Sequence, residues 1–133
     1  MTPPRDRPLS TVLLIEDDAL SRKLATLILQ GAGYEVLSAA TAEDGVALAC
    51  ERQPPVALVD IHLPGMDGVA AARALRADAR TCGMQLVAVT ASVMREDRPW
   101  IMTGGFDGFL AKPFRRSDLL AAVGAALSRR GAP

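Results

Sequence analysis

From residue 11 onward, short apolar runs alternate with longer stretches of helical period, a pattern that predicts βα units stacked on a parallel sheet. Val12–Ile15, Tyr34–Leu37, Val56–Val59 and Leu86–Val89 are apolar at nearly every position, as strands buried on both faces are. A weaker run, Gly108–Ala111, supplies a fifth strand.

Helical patterns fill the gaps. The stretch Leu20 to Leu29 sets Leu20, Leu24, Leu27 and Ile28 on one face and is expected to end at Gly31, where a left-handed cap is cheap. Thr41-Ala-Glu-Asp44 reads as an N-cap followed by first-turn acids, and starts a second helix through Cys50. A third, Ala-rich helix is expected from Asp67 to about Asp78 with Val69, Ala72 and Leu75 inward. A short fourth near Arg95–Met102 stops at Gly104-Gly105, and a last one over Ser117–Leu127 groups Leu119, Leu120, Val123 and Leu127.

Five such units in 133 residues predict an α/β fold. It is a (βα)5, doubly wound, flavodoxin-like sheet of five parallel strands in the order 2-1-3-4-5, with its crevice at the carboxyl ends of strands one and three. The expected organisation is a flexible N-terminal segment over residues 1–10, one domain over 11–128 and a C-terminal tail over 129–133.

Composition narrows the function classes. Lys plus Arg equal Asp plus Glu at 15 each, so no basic field exists to hold a nucleic acid backbone. Cys50 and Cys82 stand in unrelated segments without metal-ligand spacing and read as free thiols. The polar, Pro-rich opening and the lack of any stretch of about 18 apolar residues lead to the expectation of a cytoplasmic protein without a membrane span.

The chemistry-bearing residues fall just past the strand ends: Glu16, Asp17 and Asp18 after strand one, Asp60 after strand three, Thr90 after strand four and Lys112 after strand five. The predicted topology brings all of them to one crevice. Carboxylates brought together raise one another's pKa unless a cation neutralises them, and clustered oxygen ligands suit a hard ion such as Mg²⁺. With such an ion, phosphoryl transfer needs a nucleophile, a fixed positive charge and hydrogen-bond donors, roles open to Asp60, Lys112 and Thr90. Asp18 reads more simply as the N-cap of the first helix and is left out of the site.

In five separated places the chain resembles the receiver domains of two-component response regulators. Leu-Leu-Ile-Glu16-Asp17-Asp18 resembles their acidic turn, and Leu58-Val-Asp60 their phosphoacceptor strand. Leu63-Pro-Gly-Met-Asp67-Gly68 resembles the loop that follows, Val89-Thr90-Ala91 the switch-threonine segment, and Leu110-Ala-Lys112-Pro113-Phe114 the Lys-Pro segment, whose proline is typically cis. The resemblance implies a single-domain, chemotaxis-regulator-like receiver that accepts a phosphoryl group on Asp60 from a histidine kinase or histidine phosphotransfer protein. Mg²⁺ would be ligated by Asp17, Asp60 and the backbone carbonyl of His62, with Glu16 acting through water. Thr90 and Phe109 would be the switch pair, moving the face built by the fourth helix, fifth strand and last helix for a downstream protein. The implied protein is no enzyme beyond self-catalysed phosphorylation and dephosphorylation, and is expected as a monomer or weak dimer.

Two departures from the family pattern matter. Phe109 stands where the family usually has an aromatic, often Tyr, that rotates inward, and it lacks a hydroxyl for a partner. His62 and Ser92 occupy the two positions that in the family face the attacking water, and they are expected to tune phosphoryl lifetime.

Two other functions bear on a similar set of residues. A phosphatase of the haloacid-dehalogenase type also uses a strand-end Asp, Thr, Lys and Mg²⁺, but it requires a second Asp two residues on, where this chain has His62. A receiver that docks without phosphorylation would not need the acids, Thr90 and Lys112 that are all present.

Overall fold

The computed structural model describes residues 10–61, 68–90 and 105–131. Five strands, β1 (Thr11–Ile15), β2 (Glu35–Ala39), β3 (Val56–Asp60), β4 (Gln85–Thr90) and β5 (Gly108–Ala111), form one parallel sheet in the order β2-β1-β3-β4-β5. The helices are α1 (Ala19–Gly31), α2 (Ala42–Arg52), α3 (Gly68–Ala77) and α4 (Arg116–Gly131). The expected helix near Arg95–Met102, the start expected at Asp67, residues 1–9, His62 and Ser92 lie outside the described residues.

Strand alternation splits the interior in two. Leu13, Ile15, Ala57, Val59, Leu86 and Ala88 face α2 and α3, where Ala42, Ala49, Val69, Ala72 and Leu75 meet them. Val12, Leu14, Val56, Leu58, Val87 and Val89 face α1 and α4, packing on Ala25, Leu29, Leu119, Val123 and Ala126. Both sheet faces are therefore covered, which is why the strand sequences are apolar at successive positions. This is the doubly wound, flavodoxin-like arrangement that the hydrophobic pattern predicts. Among the described residues no helix is long and apolar enough to cross a membrane.

Four expectations need correction. On α1, Leu20, Leu24 and Leu27 are 76%, 55% and 57% exposed, whereas Ala25 and Leu29 are buried. Two overlapping apolar stripes wind round this helix, and the one through Ala25, Ile28 and Leu29 is seated on the sheet. The helix ends at Gly31 as expected, but the left-handed turn is made two residues on, by Gly33 (φ 101°). Because the Tyr34 N–H bonds back to the Leu29 carbonyl (3.1 Å), β2 begins at Glu35 instead of Tyr34. Finally, α4 continues through Gly131, so residues 129–131, expected in the tail, are helical, and Arg129 Nε donates to Gln85 Oε1 (2.9 Å).

Candidate functional site

Past β1 the chain turns through Glu16, Asp17 and Asp18 into α1. The Glu16 N–H donates to the Ala39 carbonyl at the end of β2 (3.0 Å). Asp18 caps α1, its Oδ2 accepting from the Ser21 N–H (2.8 Å), and that bond holds its carboxyl below the ordinary value. Arg22, one turn into α1, donates to the carbonyls of Glu16 (2.8 Å) and Asp17 (3.4 Å).

Asp60 ends β3 on a strand whose residues are all buried, beside Val89 of β4 in register. Helix α3 starts hard against it: a Cβ on Gly68 would lie 2.5 Å from both the Asp60 carbonyl oxygen and the Ile61 Cα. Only a glycine permits that approach. Thr90, fully buried, ends β4, and its carbonyl accepts from the Lys112 N–H (2.8 Å), which sets Lys112 just past β5. The Lys112–Pro113 peptide is cis.

Lys112 Nζ lies 2.5 Å from Glu16 Oε1 and 3.3 Å from Asp60 Oδ2. Burial, joined by contact with Asp60, pushes Glu16 up to about 7 against the opposing pull of Lys112. For Lys112, burial favours loss of the proton, but the Glu16 and Asp60 carboxylates outweigh it and raise its pKa. The other Glu16 oxygen, Oε2, is buried and has no hydrogen-bond partner among the described residues. Glu16, Asp17 and Asp60 each offer an oxygen within 4.8 Å of the others. An acidic, part-buried oxygen cluster with one oxygen left over fits a hard divalent cation such as Mg²⁺.

The structure thus brings Glu16, Asp17, Asp60 and Lys112 together and sets Thr90 at the adjoining strand end. Phe109 lies on β5, half-buried against the α2–α3 side of the core. His62 and Ser92 lie outside the described residues. The sequence reading includes Gly68 only as a motif residue, without its role, and does not include Arg22. A glycine at the start of an Ala-rich helix was a signal for the first; nothing in the spacing marks the second.

Comparisons with known proteins agree with this geometry. The family model of the response regulator receiver domain matches residues 12–124. Protein PilH of Pseudomonas aeruginosa is 33% identical over 120 residues, covering 90% of this chain and 99% of PilH. The chemotaxis response regulator CheY4 of Vibrio cholerae superposes with a TM-score of 0.84 at 27% identity, over 88% of this chain and 98% of that one. The receiver domain of a Pseudomonas aeruginosa sensor histidine kinase, solved with a magnesium ion coordinated in its active-site cleft, gives 0.83 at 28% identity, over 90% and 98%. The chain also matches DNA-binding regulators, of whose length it spans about half.

Proposed function

The chain belongs to the response regulator receiver domains of two-component signalling, and from that premise we propose that it accepts a phosphoryl group on Asp60 and switches one face for a partner. The observation that carries the reading is the convergence of Glu16, Asp17 and Asp60 within 4.8 Å, with Lys112 at 3.3 Å from the Asp60 carboxylate. Three acids and one ammonium in one crevice leave surplus negative charge, a poor arrangement for stability and a good one for a bound cation.

An Asp60 carboxylate oxygen would attack the phosphorus of a phosphohistidine, or of acetyl phosphate. The P–N bond (or the P–O bond to acetate) breaks, the leaving group takes that bonding pair, and an aspartyl phosphate remains. A bound Mg²⁺ would offset the charge of both reacting groups. Asp17, Asp60 and the His62 carbonyl are the ligands we assign to it, with Glu16 acting through water. Lys112 would pair with a phosphate oxygen, and the Thr90 hydroxyl would donate to another. Movement of Thr90 would make room for Phe109 to turn inward, shifting an existing equilibrium in the face of the expected helix near Arg95–Met102, β5 and α4 toward the form a downstream protein binds. His62 and Ser92 would set how fast water removes the group.

A histidine kinase or phosphotransfer protein fits as donor. The exposed Leu20, Leu24 and Leu27 stripe reaches a groove lined by Leu24, Lys112, Pro113 and Phe114, so apolar surface adjoins the acceptor. The reading makes the protein a signalling acceptor and no turnover enzyme.

The test is acceptance itself. Incubated with acetyl phosphate and Mg²⁺, the wild-type protein should gain one phosphoryl mass, and Asp60→Asn should gain none. Labelling of Asp60→Asn at the wild-type rate would show that another residue is the acceptor, and steady hydrolysis of small phosphoesters would favour the phosphatase reading.

A further inference from the structure

We propose that Arg22 is a positioning residue for cation binding, fixing the backbone of the acidic turn so that Asp17 faces Glu16 and Asp60; the inference rests on the Mg²⁺-dependent reading above. Three ties hold that turn. The Glu16 N–H is bonded to Ala39, the Asp18 carboxylate caps α1, and between them the Glu16 and Asp17 carbonyls both accept from Arg22 Nη1. Asp17 is exposed, so its place opposite the buried Glu16 and Asp60 is set by its backbone.

Arg22 is itself well anchored. It precedes Ala25 and Leu29 by three and seven positions, on the helix face seated against the sheet, so its guanidinium extends from a rigid base under the turn. By binding carbonyls it leaves the carboxylate oxygens of Glu16 and Asp17 to other partners. A metal-ligating carboxylate commonly depends on such outer contacts.

Two roles for this cation predict opposite signs. If Arg22 acted only through its charge, removing it would take a repelling cation from beside a Mg²⁺ site, and Mg²⁺ would bind more tightly. If it holds the turn, removing it frees Asp17 to wander, and Mg²⁺ binds more weakly.

Calorimetric titration of Mg²⁺ into metal-free protein, at neutral pH and fixed ionic strength, should show Arg22→Ala weakened about tenfold. Arg22→Lys keeps the charge but lacks the planar, rigidly held Nη1 that serves both carbonyls, and should weaken binding about threefold. Hydrogen exchange in metal-free Arg22→Ala should quicken severalfold at the Glu16, Asp17 and Asp18 amides and stay unchanged at Leu86 and Val87. Unchanged or tighter Mg²⁺ binding in Arg22→Ala, or exchange that quickens equally at both places, overturns the proposal. Should the alanine variant fail to fold, the lysine variant carries the same comparison. A wild-type protein that binds no Mg²⁺ would instead sink the proposed function, while the exchange comparison would still decide whether Arg22 holds the turn.

Discussion

Arg76 and Lys112 are both part-buried cations facing carboxylates, at opposite ends of one sheet. Arg76, near the end of α3, donates to the carbonyls of Cys82 (2.8 Å), Met84 (2.6 Å) and Gly105 (3.0 Å) and to Asp107 Oδ2 (2.5 Å). The same Asp107 oxygen accepts from the Leu86 N–H (2.8 Å), so one guanidinium ties together the segments that enter β4 and β5. Each of the three Arg76 nitrogens meets an acceptor. At the other end Lys112 faces Glu16 and Asp60, a third acid stands beside them, and Glu16 Oε2 is buried without a partner among the described residues. Charge is matched where the sheet begins and left in surplus where it ends. The first arrangement serves stability; the second holds free energy that a bound cation can release.

That contrast breaks most directly at Arg76. Arg76→Ala should lower unfolding free energy by about 3 kcal/mol, because a part-buried carboxylate and three carbonyls lose a charged donor together. Urea unfolding measures it, and Mg²⁺ affinity should stay within about twofold of wild type, since the contact lies at the far end of the strands. A loss below about 1 kcal/mol would show that the amino end is not the stabilising end.

The site end should behave oppositely with pH. Burial and Asp60 raise Glu16 from 4.5 to about 7, so between these values the folded protein holds a proton that the unfolded chain has released. Stability of the metal-free protein should therefore fall as pH rises through that window, by about 3 kcal/mol at most, the opposing pull of Lys112 being already contained in the raised value. Glu16→Gln should flatten the fall, and saturating Mg²⁺ should offset it, because an ion that binds only the folded state stabilises it. A Glu16→Gln profile parallel to wild type would mean that the buried acid is not the source of the slope.

How far these two ends could be read from the sequence differs in kind. The crevice follows from topology: with five apolar runs as parallel strands, residues after β1, β3, β4 and β5 must share one edge, and that edge carries Glu16, Asp17, Asp60 and Lys112. No comparable rule reaches the amino end. Arg76 meets the Gly105 carbonyl and the Asp107 carboxylate some thirty residues on, and three of its four acceptors are backbone carbonyls that every residue carries, so side-chain identity gives little hint of the contacts. Arg22 escaped for the same reason. The orientation of α1 escaped for another: its leucines satisfy a helical period, but period alone does not choose between two stripes, and the packing of Ala25 and Leu29 against Val12 and Leu14 of β1 decided it. Gly68 shows the middle case, a residue visible in a motif whose purpose, close approach of α3 to the Asp60 carbonyl, needs coordinates to state.

The smallest effect sharpens the comparison by its sign. Asp78, at the amino end, receives the backbone N–H (2.8 Å) and Nε (3.0 Å) of Arg80 on Oδ1, and Nη2 (2.8 Å) with the Cys50 thiol on Oδ2. Hydrogen bonds from Arg80 hold its carboxyl well below the ordinary 3.8. A depressed acid contributes stability that is fully present above its unfolded pKa and is lost progressively as pH falls from there through its lower folded pKa. The stability gap between wild type and Asp78→Asn should thus be flat from pH about 5 to 8 and narrow progressively below about 4, measured by urea unfolding across pH. Glu16 titrates against the fold in a higher window, and Asp78 for it in a lower one. A gap that changed between about 5 and 8 would place surplus charge at both ends and remove the distinction.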